Sequence, residues 1–197
     1  MSGKHKFPPE HAAVLDDAGR RRLLPPEEIL QAMDLAEGET LVDVGCGTGF
    51  FALPAARMVG ESGQVYALDT STTMLAKLQD KLASVDAHGN IKALVSQESA
   101  LPLPDGCADA ALLAIVLHEA DDAVTLLREI HRCLIPGGRL GLVEWHKTDT
   151  WQPGAGPPPG ERLSPEKAAS LITSAGFQLE RQWDPGPLHY CLLFSRP

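Results

Sequence analysis

The chain has 197 residues, with 17 lysines and arginines against 26 aspartates and glutamates, a formal net charge of −9. That length and a hydrophobic share of 44% suit one domain with an ordinary core, and the acidic balance argues against nucleic acid, whose phosphates must be neutralised by lysine and arginine. No apolar run reaches membrane-spanning length, and four scattered cysteines (Cys46, Cys107, Cys133, Cys191) fit neither a disulfide framework nor metal-ligand spacing; the expectation is a cytoplasmic protein with reduced thiols, no metal and no membrane insertion.

Residues 1–24 are polar and carry the basic run Arg20-Arg21-Arg22, which reads as a solvated helix face. This segment is either a plain tail or a lid in which Phe7 closes over a site. The domain proper occupies residues 25–197. Pro25-Pro26 and Glu27-Glu28 open a helix, with proline early and acids where the helix dipole favours them, and Gly38 stops it.

Segments then alternate. Residues 40–44 are a short β-branched strand, followed by the glycine turn of residues 45–49 and a helix over 50–59. A second strand covers residues 64–68 and ends in Asp69. Ser71-Thr72 caps a helix whose apolar positions Met74, Leu75, Leu78, Leu82 and Val85 share one face. A third strand spans 90–95, and a turn-rich stretch leads to a near-continuous apolar run at 108–116, the pattern of a strand covered on both faces. An amphipathic helix over 121–134 is stopped by Pro136-Gly137-Gly138, and a fifth strand fills 139–145. A loop rich in proline and glycine (152–160) precedes a helix over 164–175. Strands at 177–183 and 188–194 flank the turn Asp184-Pro-Gly-Pro187. This alternation predicts an α/β fold of the Rossmann-like kind: a seven-stranded, mostly parallel sheet with helices on both faces. The closing hairpin has no room for a crossover helix, so the last strand is antiparallel.

The glycine turn is the most informative segment. Its pattern is D-x-G-x-G-x-G, at the carboxyl edge of the first strand, where open α/β sheets bind ligands. Glycines let a ligand approach the main chain. A pyrophosphate would want an open helix N-terminus; Asp43 instead suits a cationic group such as an ammonium or sulfonium. Asp69, at the tip of the second strand, can accept both hydroxyls of a ribose.

These residues, with Leu101-Pro-Leu-Pro-Asp-Gly106 and Leu134-Ile-Pro-Gly-Gly-Arg139, resemble a class I S-adenosylmethionine-dependent methyltransferase. Within that group the chain is similar to small-molecule enzymes of the ubiquinone/menaquinone-biosynthesis C-methyltransferase type, from about Ile29 to Phe194. The resemblance implies S-adenosylmethionine as cofactor. Asp43, Gly45, Cys46 and Gly47 would hold its methionine part; Asp69 would bind the ribose, with Thr70 and Met74 along the adenosine. Gln97 and Glu98 stand where the family usually has an aspartate and a small residue touching the adenine, and the Gln97 amide oxygen takes the aspartate's place. Ala114 matches a position whose backbone meets the methionine moiety.

Methyl transfer from a sulfonium is an in-line displacement, so the protein chiefly orients nucleophile, methyl carbon and sulfur. A base is needed only if the acceptor loses a proton. His118 is the candidate, since an imidazole titrates near neutrality, and Glu144 either orients a histidine or faces solvent. Trp145 is either a wall of the acceptor pocket or core. No Asn-Pro-Pro-Tyr-like segment follows the fourth strand, which disfavours base- and amide-nitrogen methylation and leaves a small-molecule acceptor. The alternatives are a non-catalytic protein that binds the same donor and a nicotinamide-dependent oxidoreductase.

Overall fold

The order of elements explains where the ligand edge lies. The structure, a computed structural model, describes residues 17–84, 89–147 and 156–197. Its elements are α1 (Ala18–Leu23), α2 (Pro26–Ala32), β1 (Thr40–Val44), α3 (Ala52–Val59), β2 (Gln64–Asp69), α4 (Thr72–Ser84), β3 (Ile91–Val95), β4 (Ala108–Ala114), α5 (Ala123–Cys133), β5 (Leu134–Trp145), α6 (Pro165–Ser174), β6 (Gln178–Gly186) and β7 (His189–Ser195). The seven strands form one sheet in the order β3-β2-β1-β4-β5-β7-β6.

β1 lies between β2 and β4, parallel to both, with Leu41 opposite Val65 on one side and Ala110 on the other. The order reverses at β1, which opens a crevice at the carboxyl ends of β1 and β4. β7 pairs antiparallel with both β5 and β6, as the hairpin requires. Side chains alternate across the sheet. One core layer joins Leu41, Leu112 and Val143 to α2, α3 and α4. The other joins Val42, Leu113 and Leu142 to α5 and α6.

Three boundaries differ from the expected ones, each for a local reason. β4 stops at Ala114 because Ile115 turns into the left-handed region (φ 60), which ends the ladder. β5 starts at Leu134, five residues before the predicted strand, with Pro136-Gly137-Gly138 inside it. There the register slips from Ala108 opposite Leu134 to Ala110 opposite Arg139, so the segment that follows the end of α5 at Cys133, as expected, is also a bulge in β5. β6 likewise runs on through Asp184 to Gly186.

Leu24 is wholly buried with Ile29 and Leu30, so the end of the 1–24 segment packs into the core. Phe7, expected in a lid, and Val85, expected on the α4 stripe, lie outside the described residues. Among the described residues no helix is long and apolar enough to cross a membrane, and no group of histidine, cysteine, aspartate and glutamate could hold a metal ion.

Candidate functional site

A cavity of about 200 Å³ opens at the crevice, and all ten residues expected to hold the donor border it. The turn after β1 shapes its floor. Gly45 and Gly49 have φ of +74 and +87, and a Cβ on them would stand 2.4 Å from the Val116 methyl and 2.5 Å from Leu78 Cδ1. Only glycine fits. The Lys81 ammonium donates to the Thr48 carbonyl (2.8 Å), tying the turn to α4. Gly45→Ala is therefore expected to lower Tm by about 4 °C or more, through both the clash and the left-handed backbone, which a thermal melt of the ligand-free protein measures.

Two carboxylates converge behind the turn. Asp69 takes the Gly47 N–H on Oδ2 and the Ser71 N–H on Oδ1, both at 2.8 Å. Burial lifts Asp69 above the usual carboxylate range, although the N–H groups of Ser71, Gly47 and Thr70 pull the other way. Asp43 is buried, and its Oδ2 has no hydrogen-bond partner. Desolvation, with Asp69 next in weight, pushes its pKa up to about 7, against the pull of the Ala52 N–H and Arg20. A buried carboxylate oxygen without a donor is costly, and a ligand ammonium would relieve it. That orphaned oxygen fits an amino-acid-bearing cationic donor.

The remaining residues expected to hold the donor differ in their surroundings. Cys46 is buried, its thiol pushed up first by desolvation and then by Asp43 and Asp69, so it fills space and is no nucleophile. Met74 is buried beneath Asp69's loop, its N–H facing Ser71 Oγ (3.3 Å). Gln97 closes a tight bridge with Ala100, and Glu98 Oε1 accepts the Asp122 N–H (3.0 Å), which joins the β3 loop to the start of α5. Thr70 and Ala114 complete the wall. Beside Ala114, Ile115 is held at φ 60 by its N–H to the Val143 carbonyl (2.8 Å), a strained backbone of the kind stored at functional sites.

Arg20 corrects the expectation of a solvated basic face: it borders the cavity, with its guanidinium 4.1 Å from the centre of the Phe50 ring. Arg21 and Arg22 stay exposed. A run of three arginines does not say which one a short helix turns inward.

His118 and Glu144 do come together. Glu144 is fully buried and meets His118 Nδ1 at 2.9 Å through both oxygens; it also accepts the N–H groups of His118 (3.1 Å) and Trp145 (3.2 Å). Of the two readings of Glu144, orientation of a histidine is the one the geometry supports. Burial opposes protonation of His118, but the hydrogen bond and charge of Glu144, with Glu119 and Glu161, outweigh it and raise the pKa above the ordinary histidine value. His118 does not itself border the donor cavity. Glu119 does, and its carboxylate stands 3.7 Å from His118 Nε2. Glu119 was missed as a site residue because an acid beside a histidine in sequence gives no sign of which one faces inward.

Comparison with known proteins gives the family. Residues 42–142 match the methyltransferase domain family. The chain is 35% identical over 125 residues to a demethylmenaquinone methyltransferase of Geobacillus kaustophilus, covering 64% of this chain and 53% of that protein. It is 34% identical over 136 residues to the ubiquinone/menaquinone biosynthesis C-methyltransferase UbiE of a Marinomonas species, covering 69% and 54%. The chain thus spans about half the length of these relatives. A crystal structure of a SAM-dependent methyltransferase from Aquifex aeolicus superposes with a TM-score of 0.91 at 32% identity, over 98% of this chain and 100% of that one. The cyclase SpnF shares the fold, with a TM-score of 0.74 at 21% identity over 100% of this chain and 84% of that one.

Proposed function

Since the chain belongs to the class I S-adenosylmethionine-dependent methyltransferases, we propose that it moves a methyl group to a small oxygenated aromatic acceptor of the quinol kind, in the cytoplasm. The observation that carries the donor half is the unpartnered Asp43 Oδ2 in a cavity that Asp69 also borders. The acceptor half draws support from the quinone-methylating relatives, and the compartment from four free cysteines.

When bound, S-adenosylmethionine supplies an electrophilic methyl carbon and a neutral thioether leaving group. Asp43 would hold the ammonium, Asp69 the ribose hydroxyls, and the Gly45–Gly47 backbone the methionine chain. Arg20 is the one cation bordering an otherwise acidic cavity among the described residues, and it suits the donor's carboxylate. Thr70 and Met74 flank the adenosine, with Gln97 and Glu98 at the adenine end.

With that methyl group supplied, the Glu119–His118 pair would take the proton that the acceptor's ring carbon loses. Glu144 acts as a positioning residue that fixes the imidazole and stabilises it once protonated. Of the alternatives, a nicotinamide-dependent oxidoreductase is set aside by the family match and the antiparallel β7.

Two measurements test the reading. Calorimetry should show S-adenosylhomocysteine binding to the full chain, and Asp69→Ala should weaken it at least about tenfold, the loss of charge-assisted hydrogen bonds. Labelled donor with reduced naphthoquinone should yield methylated product. Donor binding without transfer to any acceptor in a quinol and phenol series would favour the non-catalytic alternative.

A further inference from the structure

Buried side-chain atoms without a hydrogen-bond partner fall at three places among the described residues. Asp43 Oδ2 belongs to the donor cavity, and Arg196 Nε lies at the far, amino edge of the sheet beyond β7. The third place holds three such atoms together: Trp145 Nε1 and both ring nitrogens of His189. An orphaned buried polar atom is costly, so a pair of rings serving only as filler would be better made of phenylalanine.

Their position is informative. Trp145 ends β5, His189 begins β7, and the two are register partners with ring centroids 4.2 Å apart. Both sit at the carboxyl edge, where the donor cavity opens. By alternation along β5 and β7 they share the face of Val143 and Cys191, the face covered by α2 to α4. β4 is the next strand to β5, and Ala114 of the cavity wall pairs with Val143, two residues before Trp145; Trp145 and His189 lie beyond that wall and do not themselves border the donor cavity.

The indole is held from behind. Arg162, itself buried, places its guanidinium 5.1 Å from the Trp145 ring centre. It is anchored by Nε to the Pro157 carbonyl and by Nη1 to the His146 carbonyl, both at 2.8 Å. Gly156 (φ +81) lies against the same ring, where a Cβ would stand 2.7 Å from Cζ2. The ring is therefore fixed with its N–H unspent. Burial, then the charges of Arg20, His146 and Arg162, depress His189 to about 4; the Leu23 carbonyl draws on the ring from outside hydrogen-bond geometry. His189 thus carries one N–H, drawn toward the Leu23 carbonyl, and one lone pair.

We propose that Trp145 Nε1 and the His189 ring bind a ring oxygen of the methyl acceptor, and so select an oxygenated aromatic over other small nucleophiles. This rests on the methyl-transfer reading above and names the acceptor-binding residues of that site. The indole N–H donates to the oxygen, and His189 gives or takes the second hydrogen bond according to whether the oxygen carries a proton. Arg20 and Arg162 favour the deprotonated form, and a phenolate oxygen pushes electron density onto the adjacent ring carbon, which is the atom that must attack. The acceptor then lies with its oxygen on the α1 side of the sheet edge and its departing proton toward Glu119 on the other.

The test uses the full chain loaded with S-adenosylhomocysteine and titrated with reduced naphthoquinone under anaerobic conditions. Nitrogen-edited NMR follows the indole N–H signals, with that of Trp145 identified by its loss in Trp145→Phe. A saturable shift of the Trp145 signal is expected. Steady-state assays should show the acceptor KM raised about tenfold or more in Trp145→Phe and His189→Phe, with S-adenosylhomocysteine affinity within about twofold of the parent and partial recovery in His189→Asn. Methylation of the probe without a Trp145 shift overturns the inference while leaving methyl transfer standing. So does equal loss of donor affinity in both variants, which would mark the pair as structural. A parent protein that binds no S-adenosylhomocysteine sinks the underlying reading instead. A probe that neither shifts Trp145 nor accepts methyl while donor binds removes the oxygenated-aromatic assignment.

Discussion

Asp43→Asn is expected to weaken S-adenosylhomocysteine binding by about 100-fold above pH 7, the order of effect seen when one partner of a buried ion pair is removed. In the parent, binding should weaken as pH falls below about 7, because the ligand-free Asp43 is raised to about that value and must shed its proton to meet the ammonium. About tenfold of affinity per pH unit follows in that window, and the variant should lack the slope. Stability moves the opposite way. A carboxyl whose pKa is raised on folding binds more protons folded than unfolded, so the ligand-free parent loses stability as pH rises from the ordinary carboxylate range to about 7. Asp43→Asn removes that cost and should raise the ligand-free Tm above pH 7 by about 4 °C or more. Calorimetric titration and thermal melts across pH check both halves, and a variant that binds as the parent does would locate the ammonium elsewhere.

Glu144→Gln should cost about 100-fold in kcat, within the range for losing a supported general base, while donor affinity stays within about twofold. The diagnostic readout is the pH profile. His118 is raised by Glu144 and its neighbouring acids despite burial, so the rising limb of kcat should lie above the ordinary histidine range and move to lower pH in Glu144→Gln. His118→Gln should abolish that limb. The same raised value means that protonated His118 stabilises the fold; this contribution is complete below the ordinary histidine pKa and is lost as pH rises through the folded one. A profile unchanged in both variants would show that the acceptor needs no base from this pair.

The fold was legible because its signals are local and repeated. The short β-branched run at Thr40–Val44, the glycine turn after it and the hairpin that forces β7 antiparallel each follow from backbone chemistry. The residues that border the cavity were legible for the same reason: most sit on the turns that end strands, where spacing in sequence maps directly onto space. The acceptor side was not. Arg20 read as solvated because a charge run is the same text whether a six-residue helix turns it in or out. His189 stood in the apolar strand His189–Ser195 as an unremarked core residue; only the orphaned nitrogens distinguish it from packing. His118 and Glu144, 26 positions apart, were each named, but their pairing depends on β4 and β5 lying side by side. The Pro-Gly-Gly segment follows the end of α5 as expected, but its second role as a bulge inside β5 was not legible, because a bulge and a stop use the same residues.

The strand order carries one consequence for how such a protein can change. The proposed donor contacts hang on the tips of β1, β2 and β4, and these strands, like β5 and β7, have a neighbour on either side; a shift in any of them disturbs the whole sheet. The elements around Trp145 and His189 are peripheral: a short helix, the connection through Gly156 and Arg162, and the hairpin beside edge strand β6. Substitutions there leave the central strands untouched, so this architecture lets new acceptors be explored by redecorating the rim while the methyl supply stays constant.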